Sequence, residues 1–182
     1  MFPKYDGSNI RAEWSPKKGF SKFGSRKVLI GDDALLAAAI PLLREHEDAL
    51  AKIFRGERWE RVICFFEYWG PKSFAGLHEP GDVMSTTLID LDVFKRGQID
   101  PRDFIKLTEG LPNVAQCIGT RFNAENAGQV RDGTFEGQTD EGVVCKVPSS
   151  RKWEPPYMFK SKRSTWIERV YALHGSRAEE FL

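Results

Sequence analysis

From Ser8 to Trp14 the chain alternates, with Ile10, Ala12 and Trp14 on one side and Asn9, Arg11 and Glu13 on the other. A period of two predicts a strand with one buried face. Ser15-Pro16-Lys17-Lys18-Gly19 is a hairpin connection, and Lys27 to Ile30 is expected to return as a second strand. Asp32 or Asp33 can cap a helix that begins with Ala34, and Pro41 suits a new first turn or a kink. Leu42, Leu43, His46, Ala49, Leu50, Ile53 and Phe54 then fall at helical spacing up to Gly56. His46 lies on that stripe as a packed or partly exposed histidine.

Further along, Arg61 to Trp69 is a strongly apolar strand interrupted by Glu67, and Gly70 to Asp82 is a loop rich in glycine and proline. Thr86 to Phe94 is another strand. Asp100-Pro101 opens a short helix that runs to Gly110, and Asn123 to Arg131 can form one more. Strands are expected at Gly142 to Val147 and Tyr157 to Lys162, and a last helix from Thr165 to His174. About six strands with hairpin-like neighbours and four helices predict an α+β fold with largely antiparallel sheets.

Composition leaves this picture intact. The 182 residues suit one domain, and 41% hydrophobic against 29% charged residues is enough for a real core. Cys64, Cys117 and Cys145 are an odd, scattered set; they read as small core residues in a reducing compartment, neither a disulfide frame nor a metal site. Lys4 and Asp6 interrupt any apolar leader, and no run reaches the ~18 residues of a membrane span, so a cytoplasmic protein is expected. Net charge is only +1, but it is uneven. Lys146 to Arg169 holds seven Lys or Arg against Glu154 and Glu168, and Lys17, Lys18, Lys22, Arg26 and Lys27 form a second basic cluster. Such runs are either solvated surface or phosphate contacts, and for the latter local charge matters more than net charge.

Chemistry enters with four short stretches. Lys4-Tyr5-Asp6-Gly7 offers a lysine on a loop just before a strand. Phe65-Phe66-Glu67-Tyr68-Trp69-Gly70 places a carboxylate inside an aromatic strand, where an unpaired charge costs several kcal/mol. Glu67 is therefore either a rim or ion-paired residue, or a contact for a ligand hydroxyl or cation. Glu141-Gly142-Val143-Val144-Cys145-Lys146 and Met158-Phe159-Lys160-Ser161-Lys162 follow. Lys160 and Lys162, at alternate positions of one strand, point to one face.

Lys-x-Asp-Gly with these three later stretches, in this order, resembles the covalent nucleotidyltransferases: the ATP-dependent polynucleotide ligases and mRNA-capping enzymes. The likeness runs from Phe2 to about Trp166. It is closest to the nick-sealing bacteriophage-type RNA ligases, because Asn9 stands where DNA ligases and capping enzymes usually carry arginine; here the arginine comes two later, at Arg11. The resemblance implies a nucleotidyltransferase (ATP-grasp-like ligase) domain with two mainly antiparallel sheets and flanking helices, the nucleotide between the sheets. It implies a single adenylyltransferase domain over 1–182, because the twenty residues after Lys162 are too few for an OB-fold or other appended domain.

By the same resemblance Lys4 attacks the α-phosphate of ATP to form lysyl-AMP. Glu67 binds the ribose, and Glu141 helps hold Mg²⁺ or Mn²⁺, hard cations suited to carboxylate, water and phosphate oxygens. Lys160 and Lys162 contact the AMP phosphate, and Arg26 engages the nucleotide or the 5′-phosphate end. Tyr5, Asn9 and Ile89 join the nucleotide contacts. Many relatives have an aromatic residue at the position of Ile89, so adenine would meet aliphatic contact instead. An unperturbed lysine has a pKa of ~10.4, and nearby cations such as Lys160 and Lys162 favour the neutral amine that attack requires. The implied partner is nucleic acid, a nicked duplex RNA or RNA-containing duplex, handled by a monomer away from membranes. A small ATP-dependent DNA ligase and a non-catalytic nucleotide- or RNA-binding relative remain as alternatives.

Overall fold

A computed structural model describes residues 1–31, 36–71, 79, 81–151 and 154–182. Two antiparallel sheets organise the described residues. The larger has five strands in the order β3 (Gly19–Ser25), β2 (Gly7–Ser15), β4 (Val62–Trp69), β5 (Ser85–Val93) and β6 (Gly97–Gln98). The smaller has three, β1 (Phe2–Pro3), β7 (Gly142–Val147) and β8 (Tyr157–Lys162), in the order β1-β7-β8.

The predicted alternation explains the larger sheet. Ile10, Ala12 and Trp14 of β2 and Val62, Cys64, Phe66 and Tyr68 of β4 are buried on one face. Helices α1 (Ala39–Arg44) and α2 (Glu47–Gly56) cover that face through Leu43, Leu50, Ala51 and Phe54, all in the same core cluster. Each large apolar side chain so buried contributes roughly 1.5–3 kcal/mol. The opposite face carries Asn9, Arg11, Glu67 and Thr87, and there the smaller sheet approaches. The far face of the smaller sheet packs on α4 (Ala124–Asp132) through Val130, Val143 and Cys145. Helix α3 (Pro101–Leu107) closes one end of the main core with Phe104, and α5 (Ser164–His174) continues into a 3-10 turn at Gly175–Glu180.

Two expectations need correcting. The strand that follows the first hairpin is Gly19–Ser25, not Lys27–Ile30. A bulge between Glu13 and Trp14 breaks its period, so Phe20 and Phe23 are buried at a spacing of three. Val28 and Leu29 are exposed, and that segment forms no strand of its own: it meets β3 through an isolated bridge, Gly24 to Leu29, with Ser25 N–H on Val28 O and Ile30 N–H on Phe23 O. The helical stripe of 42–54 is two helices, parted at Glu45 and His46. His46 is buried at the break, its Nε2 3.1 Å from Thr86 Oγ1, and burial holds its pKa below the ordinary histidine value. The expected cap at Asp32 or Asp33 and most of the 70–82 loop lie outside the described residues. The helices at Pro101, Asn123 and Thr165 form where expected; Asp100 and Asn123 accept the first-turn N–H bonds of α3 and α4. No helix among the described residues is long and apolar enough to cross a membrane.

Candidate functional site

Lys4 sits on the two-sheet crossover, between β1 of the small sheet and β2 of the large one. Its backbone N–H donates to Gly142 O at 2.9 Å, and the Thr139 hydroxyl donates to its carbonyl. Its Nζ lies 2.5 Å from Glu141 Oε1. Glu141 is buried at the entrance of β7. Lys162, across from Gly142 in the β7–β8 register, brings its Nζ to 3.2 Å from the same carboxylate oxygen. One oxygen thus receives two ammonium groups from opposite ends of the sequence.

Lys162 is further fixed. Its Nζ donates to Phe181 O at 3.3 Å and stands 4.2 Å above the Trp166 ring. Burial pulls its pKa down and Glu141 partly restores it. The Trp166 indole N–H donates to Asp6 Oδ2 at 3.3 Å, tying α5 to the Lys-x-Asp-Gly loop.

Glu67 completes the cluster from β4. Burial pushes its carboxyl from 4.5 up to about 7, while Lys4 and Lys160 draw it down and Glu141 and Asp6 push it up. Lys4, Asp6, Glu67, Glu141, Lys160 and Lys162 therefore share one electrostatic neighbourhood between the sheets. Lys160 is exposed on the same face of β8 as Lys162.

The remaining expected contacts are less concentrated. Asn9 is exposed and pairs in register with Glu67. Tyr5 stacks on Trp69, ring centroids 5.3 Å apart, and its hydroxyl bonds Thr87; its ring is part of the scaffold beneath the loop. Ile89 is half-buried at the bulge of β5 and packs on the main core. Arg26 is exposed on the turn after β3 and makes no ion pair with the Lys4 cluster.

The sequence reading missed the tie that holds the two sheets in position. Lys146 of β7 reaches across to β5, its Nζ 2.8 Å from Asp90 Oδ2, and both side chains are buried. Gln98 also donates to Asp90, and the Lys146 ammonium stands 5.0 Å from the Phe2 ring and 5.1 Å from that of Phe104. The available signal was the one that singled out Glu67: an acid flanked by apolar neighbours in a strand, here Ile89-Asp90-Leu91.

No protein-family model matches the chain, and no curated protein matches it significantly. Among solved structures it is similar to an RNA ligase of Naegleria gruberi, a mutant with AMP and Mn, with a TM-score of 0.61 at 15% identity. The match covers 92% of this chain and 50% of that one, so the chain spans about half the length of the ligase it resembles. At this identity the likeness is one of fold: two antiparallel sheets and flanking helices arranged in an RNA-ligase-like way.

Proposed function

We propose that this chain is the adenylyltransferase domain of an ATP-dependent RNA ligase, with Lys4 as its nucleophile. The observation that carries the reading is the shared carboxylate: Lys4, on the crossover between the sheets, and Lys162, on β8, converge on Glu141 beside Glu67. A purely structural surface pair has no need of two largely shielded ammonium groups on one buried acid, because withdrawing charge from water costs several kcal/mol. The fold likeness to an RNA ligase solved with AMP and Mn supports the same reading.

In the proposed reaction the neutral Lys4 amine attacks the α-phosphorus of ATP. The N–P bond forms, the bond to the bridging oxygen breaks, pyrophosphate leaves, and the amine proton passes to solvent. Lys162 and Lys160 hold the α-phosphate oxygens as charge builds on them. A 5′-phosphate oxygen of the nucleic acid then displaces Lys4 from phosphorus, the nitrogen taking a proton from solvent as it leaves, and a 3′-hydroxyl, giving its proton to solvent, finally displaces AMP to seal the strand. Glu67 accepts from the ribose hydroxyls, and the half-protonated state expected near neutral pH also lets it donate.

The residues fit a hard divalent cation. Among the described residues no group of three or more His, Cys, Asp or Glu could hold a metal alone, but Mg²⁺ and Mn²⁺ commonly take one or two carboxylates and complete their shell with water and phosphate. Glu141 would supply the carboxylate, and the ion would offset phosphate charge.

The test is incubation with a divalent metal and ATP labelled at its α-phosphate, followed by denaturing electrophoresis. The wild type should retain label from ATP and not from GTP, and Lys4→Ala should retain none. Wild-type labelling of Lys4→Ala overturns the assignment.

A further inference from the structure

We infer that Arg11 is a contact for the phosphodiester backbone of the polynucleotide, on a track that leads from the Lys4 cluster to the β3 edge; this rests on the function proposed above. Arg11 lies on the open face of β2, two residues beyond Asn9, and its register partner on β4 is Phe65. At a strand rise of about 3.4 Å per residue, it stands about 7 Å along β2 from the Asn9–Glu67 pair.

Its guanidinium is seated against the neighbouring edge strand at Gly24. A Cβ at Gly24 would come within 3.0 Å of Arg11 Nε and 3.5 Å of Nη2. The glycine thus leaves the space that lets the side chain lie flat along the sheet.

Among the described residues no acid answers this charge. Arg44, Arg102, Arg163, Arg169 and Arg177 each sit on a carboxylate, whereas Arg11 makes no ion pair among the described residues. Glu13, next on the same face, is taken by Lys22 at 3.1 Å. Beside Gly24 the chain turns sharply, with Ser25 N–H on Val28 O at 2.8 Å and the Ser25 hydroxyl accepting from Lys27 N and Val28 N. That turn displays Arg26 and Lys27, both exposed. Arg11, Arg26 and Lys27, none of which makes an ion pair among the described residues, therefore gather around the end of β3, and Arg11 is the one held in place by the sheet.

A planar guanidinium held this way offers the paired donors that match two phosphate oxygens. ATP phosphates already have Lys160 and Lys162 beside the nucleophile, so the anion at Arg11 is a backbone phosphate of the strand being sealed. Such contacts set position without reading sequence.

The experiment compares wild type, Arg11→Ala, Arg11→Lys and Lys52→Ala. Lys52 is an exposed cation on α2, behind the core face. Adduct yield from labelled ATP is measured first, then binding of a fluorescent nicked RNA duplex by anisotropy over a range of salt. Arg11→Ala should form adduct at the wild-type level and bind the duplex roughly tenfold or more weakly. The slope of log affinity against log salt should fall by about 0.7–0.9. Arg11→Lys should lie between the two, and Lys52→Ala should match wild type. Unchanged duplex affinity in Arg11→Ala overturns the inference, as does an equal loss in Lys52→Ala, or adduct formation that falls in step with binding in both Arg11 variants. If the wild type takes no label, the adenylyltransferase reading fails, while duplex binding by the unmodified proteins still decides the role of Arg11.

Discussion

Glu67 spends neutral pH half protonated, because burial lifts its carboxyl to about 7 against 4.5 in the unfolded chain. Between those values the folded state holds a proton that the unfolded state has lost. Stability therefore falls as pH rises through this window and levels off above it. Glu67→Gln removes the titration. At pH 8 the variant should be more stable than wild type by about 1–3 kcal/mol, after allowance for solvent screening, and the gain should vanish near pH 4.5. Denaturant unfolding at several pH values checks this; a difference that stays flat with pH contradicts it. The same substitution should weaken adduct formation if this costly carboxyl has the proposed role of meeting the ribose.

At the scale of elements, glycine explains how the strands bring their ends together. Gly142 has φ +132, and a Cβ there would overlap Ser161 O and come within 3.0 Å of Lys162 Cα. The close approach of β7 and β8 at that point is what sets Glu141 beside Lys162. Gly142→Ala should cost about 2–4 kcal/mol and reduce adduct formation more than tenfold, read by thermal melts and by labelling; normal labelling would show that the local register does not matter. Lys146→Ala should cost about 3 kcal/mol by leaving the buried Asp90 without its ammonium. A double-mutant cycle with Asp90→Asn should show coupling, because the two side chains share one interaction.

These elements were unevenly legible. The strands β2, β4, β5, β7 and β8 and the helices α3, α4 and α5 were readable, because alternation, Asp-Pro and Asn caps are local signals. Strand β3 was not, because the bulge at Glu13 and Trp14 shifts its apolar residues out of period. The break between α1 and α2 was hidden because the stripe from Leu42 to Phe54 keeps helical spacing across it. The two-residue strands β1 and β6 are too short to carry any period.

At the scale of the molecule, the site exists because β1 pairs with β7, Phe2 opposite Val144, and so carries Lys4 to Glu141 from the other end of the sequence. No local pattern encodes that pairing; only the order of the four short motifs hinted at it. The individual residues Lys4, Glu67, Glu141, Lys160 and Lys162 were legible and the structure brings them together. Arg26 stands apart on its turn, and the Lys146–Asp90 tie was invisible until the sheets were placed face to face. The central claim is that this junction makes Lys4, and no other lysine, a nucleophile toward ATP. The most direct measurement is peptide mass spectrometry of the protein after reaction with ATP and Mg²⁺. The account predicts one AMP per chain, on the peptide that carries Lys4. AMP located on Lys160, Lys162 or any other residue, or no adduct at all, would contradict it.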